Sequence, residues 1–418
     1  MNNKGIGVIA FFYLLTSFFF TFVYLNEELM SRVSRVLVML LIIFLFFSWP
    51  KINRKRAYYA SSSFVLYFLL APFLTHISCY LSHGQSVVAS VSVSAASMVL
   101  GIYFYCILKG TDKKHLVNLL LILAIARTLI TLIEQFTYPN LLFAFQQDFF
   151  DDFGTFHEIE ERSGFRRLLI ADAYYLPVFL GFYSLKNFLQ KYSIKYAFLF
   201  LFSLLGLYMD QTRQIMFVFL ICLLFTPFLT DNNGKNTAFK AGLIILILGL
   251  VLYANYDSLF GELGEKTSEQ MNNEYTRSVE IAFFISKLGG PLTIFFGNGW
   301  FGNSAYGREY MDLQDTVHMY RQDIGIIGAL HMLGVIFVIV FLLYFIVVVR
   351  KNWRYYSMEY KYFYLFVLFD SVLIFPIYNA TFSSIECFMG MFFYLADKSI
   401  QENCQLSSKA LLYEKRLN

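Results

Sequence analysis

The sequence predicts an all-α fold: a polytopic membrane helix bundle of about twelve transmembrane helices, with two large loops on one side. Three observations predict it. Hydrophobic residues make up 58% of the 418 positions and charged residues only 15%, with a mean hydropathy of +0.56. A soluble chain of this length needs far more polar surface to cover itself. Apolar runs of about 16 to 25 residues, the length a bilayer core requires, recur from end to end. Lys and Arg cluster in alternate connecting segments, as the positive-inside rule demands.

The runs fall near 6–25, 33–49, 57–81, 86–108, 115–136, 168–190, 194–209, 211–230, 238–256, 323–349, 360–379 and 382–397. They leave room for a single integral membrane domain, 1–418, and for no sizeable soluble one. The first run resembles a signal sequence, but its apolar stretch is long and no A-x-A-like cleavage site follows, so it reads as a retained span. Between 194–209 and 211–230 the polar residues Asp210–Arg213 interrupt two long apolar flanks. A tight hairpin is expected there, because backbone cannot lie unsatisfied in lipid.

With the N-terminus inside, the segments 51–56, 109–114, 186–195, 231–240, 350–361 and the tail 398–418 are cytoplasmic and rich in Lys and Arg. Acidic residues concentrate on the opposite side, so both termini are expected in the cytoplasm of a bacterial inner membrane. Arg32 and Arg35, read as part of the first outer loop with Glu27 and Glu28, run against the trend. Inside, the basic residues are mostly Lys; outside, they are mostly Arg. Topogenesis hardly separates the two, whereas phosphate recognition favours the planar guanidinium. The modest net charge of +4 does not suggest a nucleic-acid partner. The cysteines Cys79, Cys106, Cys222, Cys387 and Cys404 show neither disulfide nor zinc spacing.

Two outer loops, 137–167 and 257–322, are long enough to carry function. In the second, the stretch from Tyr275 through Arg277 and Glu280 to Ile285 reads as an amphipathic helix on the membrane surface. Gly289-Gly290-Pro291 and Phe296-Gly297-Asn298-Gly299-Trp300-Phe301-Gly302 follow, a pattern for a turn in which backbone approaches something closely. His318, Arg321 and Asp323 then lead into a span punctuated by Gly325, Gly328 and Gly334. Small residues there let neighbouring helices pack closely.

At this point the chain resembles the bacterial O-antigen polymerases and the related O-antigen ligases. Arg162-Ser163-Gly164-Phe165 is similar to the family's Arg and Gly ahead of the sixth span. Thr212-Arg213-Gln214 is similar to its Ser/Thr-Arg pair at the eighth. Arg277 followed by Phe296-Gly297-Asn298-Gly299 resembles its Arg and Gly-x-Gly loop. His318 and Asp323-Ile324-Gly325-Ile326-Ile327-Gly328, followed by Gly334, resemble its polymerase motif at the start of the tenth span. The resemblance covers roughly 110–350 and rests on the order of short motifs; the spacing from His318 to the glycines departs from the ligase pattern.

The resemblance implies a metal-independent, cofactor-free glycosyltransferase acting on polyprenyl-diphosphate-linked oligosaccharides at the outer face, alongside flippase and chain-length regulator proteins. The leaving diphosphate needs fixed cations in a dry site, for which Arg213 and Arg277 are the leading candidates. Arg162, Arg166, Arg167 and Arg321 are further phosphate ligands, with Asp323 beside them. His318 is the candidate base for the acceptor hydroxyl.

Each assignment has a plainer rival. Arg213 could snorkel to headgroups, Arg277 could anchor a surface helix, and His318 could be an ordinary loop histidine. Arg127 is mid-span with Glu134 on nearly the same face. It is either a functional charge or half of an ion pair with Glu134 or Asp172. The acidic stretch 148–161 could take a divalent cation through oxygen ligands, but its spacing fits a solvated surface better. His331 reads as packing or an interhelical hydrogen bond. At the level of the whole chain, the rivals are a ligase using a lipid A core, a transporter of lipid-linked sugars, and a non-catalytic scaffold. The absence of a visible inverted repeat counts against the transporter.

Overall fold

The computed structural model describes residues 5–17, 27–138, 174–210, 213–229, 277–317, 319–378 and 383–417, with scattered positions in 139–173 and at 242 and 249. The described chain is helical, apart from two hairpins of two-residue strands, Phe149–Phe150 with Phe156–His157 and Glu161–Arg162 with Phe165–Arg166.

The helices are α1 (Ile6–Thr16), α2 (Glu27–Phe47), α3 (Trp49–Arg56), α4 (Ser62–His83), α5 (Val87–Lys109, with a 3-10 turn at Ala95–Gly101) and α6 (Lys113–Thr137). Then come α7 (Tyr175–Lys191), α8 (Ile194–Met209), α9 (Arg213–Leu224), α10 (Arg277–Ser286), α11 (Pro291–Phe296) and α12 (Ala305–Val317). The last three are α13 (Gly325–Tyr344), α14 (Met358–Asp370) and α15 (Ser384–Leu417). Among the described residues, five segments are long and apolar enough to cross a membrane: Leu29–Phe47, α4, α5, α6 and Arg321–Tyr355 around α13. The chain is therefore a helical membrane protein. Most of the predicted span 238–256 lies outside the described residues.

Between α8 and α9 the expected hairpin is present. Phe200 and Phe219 lie with ring centroids 6.4 Å apart, whereas a continuous helix would separate them by about 28 Å. Other boundaries differ from expectation for local reasons. Glu27 and Glu28 open α2 rather than lying in a loop, where carboxylates favour the helix N-terminus. Arg32 and Arg35 are consequently helical, and Arg35 reaches the Ser92 carbonyl at 3.3 Å. The run 360–379 stops being helical after Asp370, ahead of Pro376, which cannot continue the ladder. At the other extreme, the tail 398–418 extends α15, which runs through Ser384–Leu417.

Aromatic side chains build much of the core. Phe363 lies 4.5 Å from Phe392, and Phe182 stacks on Tyr362 at 4.9 Å, tying α7, α14 and α15 together. Some buried polar groups tie helices together. Asp397 of α15 accepts hydrogen bonds from Ser61 Oγ at 2.9 Å and Tyr103 Oη at 2.7 Å, joining α5 and the start of α4. At the opposite end of α4 the bundle departs from regular packing. There α13 is broken at Gly334, whose φ of 82° no other residue type adopts easily.

Candidate functional site

The break in α13 releases the carbonyls of His331 and Met332, and the glycine loop after α11 fills the gap. Asn298 N–H donates to His331 O at 2.8 Å and Gly299 N–H to Met332 O at 2.9 Å. The approach is close enough to exclude side chains. A Cβ on Gly297 would stand 2.2 Å from Met332 O, and one on Gly334 2.3 Å from Phe295 O. Ser78 of α4 closes the other side by donating to Leu292 O at 3.2 Å and Gly297 O at 2.9 Å. Thus α10 descends beside α13, α11 turns at the level of the break, and residues 297–302 climb back to the end of α4. Every bond named here answers a backbone group that would otherwise be stranded inside the bundle.

Gln85 receives the returning strand. It donates to Trp300 O and Ser90 Oγ, both at 2.7 Å, and accepts from Gly302 N–H at 3.0 Å and Ser304 Oγ at 2.7 Å. Beside it, His83 shares a hydrogen bond of 2.7 Å with Asn298 Oδ1 and stacks on Tyr306 at 4.0 Å.

Arg321 stands at the centre. It is only 3% exposed, in the short 3-10 turn Arg321–Ile324 that precedes α13. Its Nη1 donates to Gly299 O at 2.7 Å and approaches His331 Nδ1 at 3.5 Å, while its guanidinium lies 4.1 Å from the Phe301 ring centre. No carboxylate pairs with it among the described residues. Nε and Nη2 have no hydrogen-bond partner there either, although a guanidinium offers five donors in all. Arg321 lines a small cleft of about 20 Å³ together with Gln322, Gly325, Gly328, Met332, Phe375 and Tyr378. Arg321 is always charged, so His331 Nδ1 must be the acceptor and the ring proton sits on Nε2. Against Phe301, burial holds the Tyr310 phenol up at about 12 and raises that of Tyr306 as well. Both are neutral donors, not bases, at physiological pH.

The sequence candidates divide into two groups. Arg321, Asp323 and the helix α10 that Arg277 opens belong to this cleft region, with Glu280 accepting from Tyr320 N–H at 3.3 Å. Asp323 is exposed on the same 3-10 turn as Arg321. The second group surrounds the α8–α9 hairpin. Arg127, buried in α6, pairs with the hairpin residue Asp210 at 2.7 Å, a partner not foreseen from the sequence; Asp172 lies outside the described residues. Arg213 opens α9 three residues later. Gln135 of α6 binds the backbone of Arg166, donating at 2.6 Å and accepting at 2.9 Å, and the Arg166 guanidinium covers Tyr138 at 3.7 Å. Arg162 lies on the paired strand. The side chains of Arg162, Arg213 and Arg277, and the whole of Arg167 and His318, lie outside the described residues.

Reasoning from the sequence missed His83, Gln85, Tyr306 and Tyr310, and it valued Asn298 only for its flanking glycines. The polar triplet His83-Gly84-Gln85 between two apolar runs was the available signal. Among the described residues no three His, Cys, Asp or Glu side chains converge as a metal site. No family model, curated protein or solved structure matches the chain.

Proposed function

We propose that the chain is a membrane glycosyltransferase that joins polyprenyl-diphosphate-linked oligosaccharide units into a surface polysaccharide. One observation carries the reading. A permanently charged Arg321 is buried in a membrane protein without a carboxylate partner among the described residues, and the residue lines a small cleft. A cation held this way costs free energy unless an anion completes it, and guanidinium geometry suits phosphate oxygens.

In this reading the bundle has about twelve spans, both termini lie in the cytoplasm of a bacterial inner membrane, and the cleft opens outward. The acceptor hydroxyl attacks the anomeric carbon of the donor chain, and the bond from that carbon to the diphosphate oxygen breaks. Arg321, with Arg277, receives the negative charge on the leaving polyprenyl diphosphate. His318, three residues before Arg321, takes the hydroxyl proton. The donor is already activated, so positioning and electrostatics suffice.

The break in α13 favours a second reading, a transporter of lipid-linked sugars, because discontinuous helices recur in transporter binding sites. Reconstitution separates the two. Purified protein in liposomes receives a synthetic polyprenyl-diphosphate-linked repeat unit with EDTA present. A ladder of lengthening products supports the polymerase. Movement of the unit across the bilayer without a ladder replaces it with the transporter, and single transfer to a lipid A core selects the ligase.

A further inference from the structure

The excursion formed by α10 and α11 is more apolar than a loop in water would be. From Ile281 to Gly307 the sequence holds one charged residue, Lys287. One side of the excursion packs on α4 and α13, and the other side is uncovered. Val279, Ile285, Leu292, Ile294 and Phe295 are 41%, 46%, 42%, 41% and 48% exposed.

Depth decides what covers them. The Phe295 carbonyl lies against Gly334, nine residues into α13 from Gly325 and so about 14 Å along the helix axis. Both α4 and the segment around α13 are long and apolar enough to span a bilayer. The exposed face of α11 is therefore continuous with the exposed apolar face of α4, which presents Phe73, Leu74, Ile77 and Leu81. Non-helical backbone at such a depth is tolerated only where protein satisfies it, and Ser78, His331 and Met332 do so here. The single charge is accommodated as well. Lys287 lies 5.3 Å from the Phe283 ring and reaches Glu309 at 3.8 Å, a route by which a long stem carries its ammonium out of an apolar layer.

We propose that α10 and α11 form a re-entrant wedge immersed in bilayer hydrocarbon, with Ile285, Leu292, Ile294 and Phe295 against acyl chains. The loop that holds Arg321 through Gly299 is the inner side of this wedge. The inference is independent of the chemistry proposed above.

Spin labelling in vesicles of phosphatidylcholine and phosphatidylglycerol tests it. Cys79, Cys106, Cys222 and Cys387 are buried, so Cys404→Ser supplies the background. Nitroxides are placed by Leu292→Cys, Ile294→Cys and Phe295→Cys, with Ile77→Cys on α4 and Tyr58→Cys in the α3–α4 turn as references. The expected result is collision with oxygen exceeding collision with a water-soluble nickel chelate, as at Ile77→Cys and opposite to Tyr58→Cys. Nickel access equal to that at Tyr58→Cys would overturn the proposal by placing the wedge in water. Access to neither reagent would overturn it too, since protein, including a second copy of the chain, would then cover the face. Three label positions keep the test decisive if one variant does not fold.

Discussion

Arg321 donates from Nη1 to the carbonyl of Gly299 at 2.7 Å, a contact between the start of α13 and the loop plugged into its break. The bond holds Nη1 and leaves Nε and Nη2 without a hydrogen-bond partner among the described residues. Position and charge can therefore be separated by mutation. Arg321→Gln removes the charge while retaining a donor for Gly299. It is expected to lower the polymerisation rate by about a hundredfold to a thousandfold while the purified protein remains folded by size exclusion. Arg321→Lys keeps the charge without the fork and is expected to fall between. Equal rates for wild type and Arg321→Gln in the reconstituted assay remove Arg321 from the chemistry.

Gly297 and Gly334 are the two positions where backbone meets backbone most closely in the plug. Gly297→Ala and Gly334→Ala each combine a carbonyl clash near 2.2 Å or 2.3 Å with a positive φ of 80° or 82°. Each is expected to cost about 3 kcal/mol or more, read as a fall in the thermal midpoint in detergent. Gly289→Ala, where an added Cβ meets nothing within 4 Å, is expected to leave the midpoint near wild type.

The Arg127–Asp210 pair ties α6 to the end of α8, with side chains only 4% and 6% exposed. Removing one partner leaves a buried charge, so Arg127→Met or Asp210→Leu alone is expected to cost about 3 to 5 kcal/mol. The double variant is expected to recover part of that loss. A double-mutant cycle on unfolding checks it, and strict additivity of the two losses argues against the pair acting as a unit.

Burial of Tyr310 implies a definite alkaline response. Its phenol is pushed from an ordinary 10.0 to about 12, burial first and the neighbouring Glu309 second, against the opposing charge of Arg321. Above pH 10.0 the unfolded chain releases this proton while the folded chain keeps it. The contribution to stability is thus present below pH 10.0 and is lost as pH rises from 10.0 toward 12. Comparing wild type with Tyr310→Phe by denaturant unfolding across that window should show the wild type losing more. Parallel losses in both proteins contradict the assignment.

Much of the bundle was legible because hydropathy length is a physical demand of the bilayer. The hairpin at Asp210–Arg213 followed from the cost of unsatisfied backbone in lipid, and the glycines of 297–302 announced a close backbone approach. What the glycines approached was not legible. Met332 lies 35 residues beyond Gly297, and a single sequence carries no record of which distant segments meet. Arg127 and Asp210 were each marked as unusual polar residues, yet their pairing needed the crossing of α6 and α8. His83 and Gln85 were hidden in a short connection that composition alone makes look like a turn. Pro376 did signal the end of α14, but the apolar run across it masked the signal.

The central claim is that Arg321 completes an anion site for a lipid-borne diphosphate. Its most direct test is equilibrium binding of polyprenyl diphosphate to the protein in nanodiscs, compared with polyprenyl alcohol and between wild type and Arg321→Gln. The account predicts that wild type prefers the diphosphate and that Arg321→Gln loses the preference while still binding the alcohol. Equal preference for the diphosphate in both proteins, with the variant folded, would contradict it.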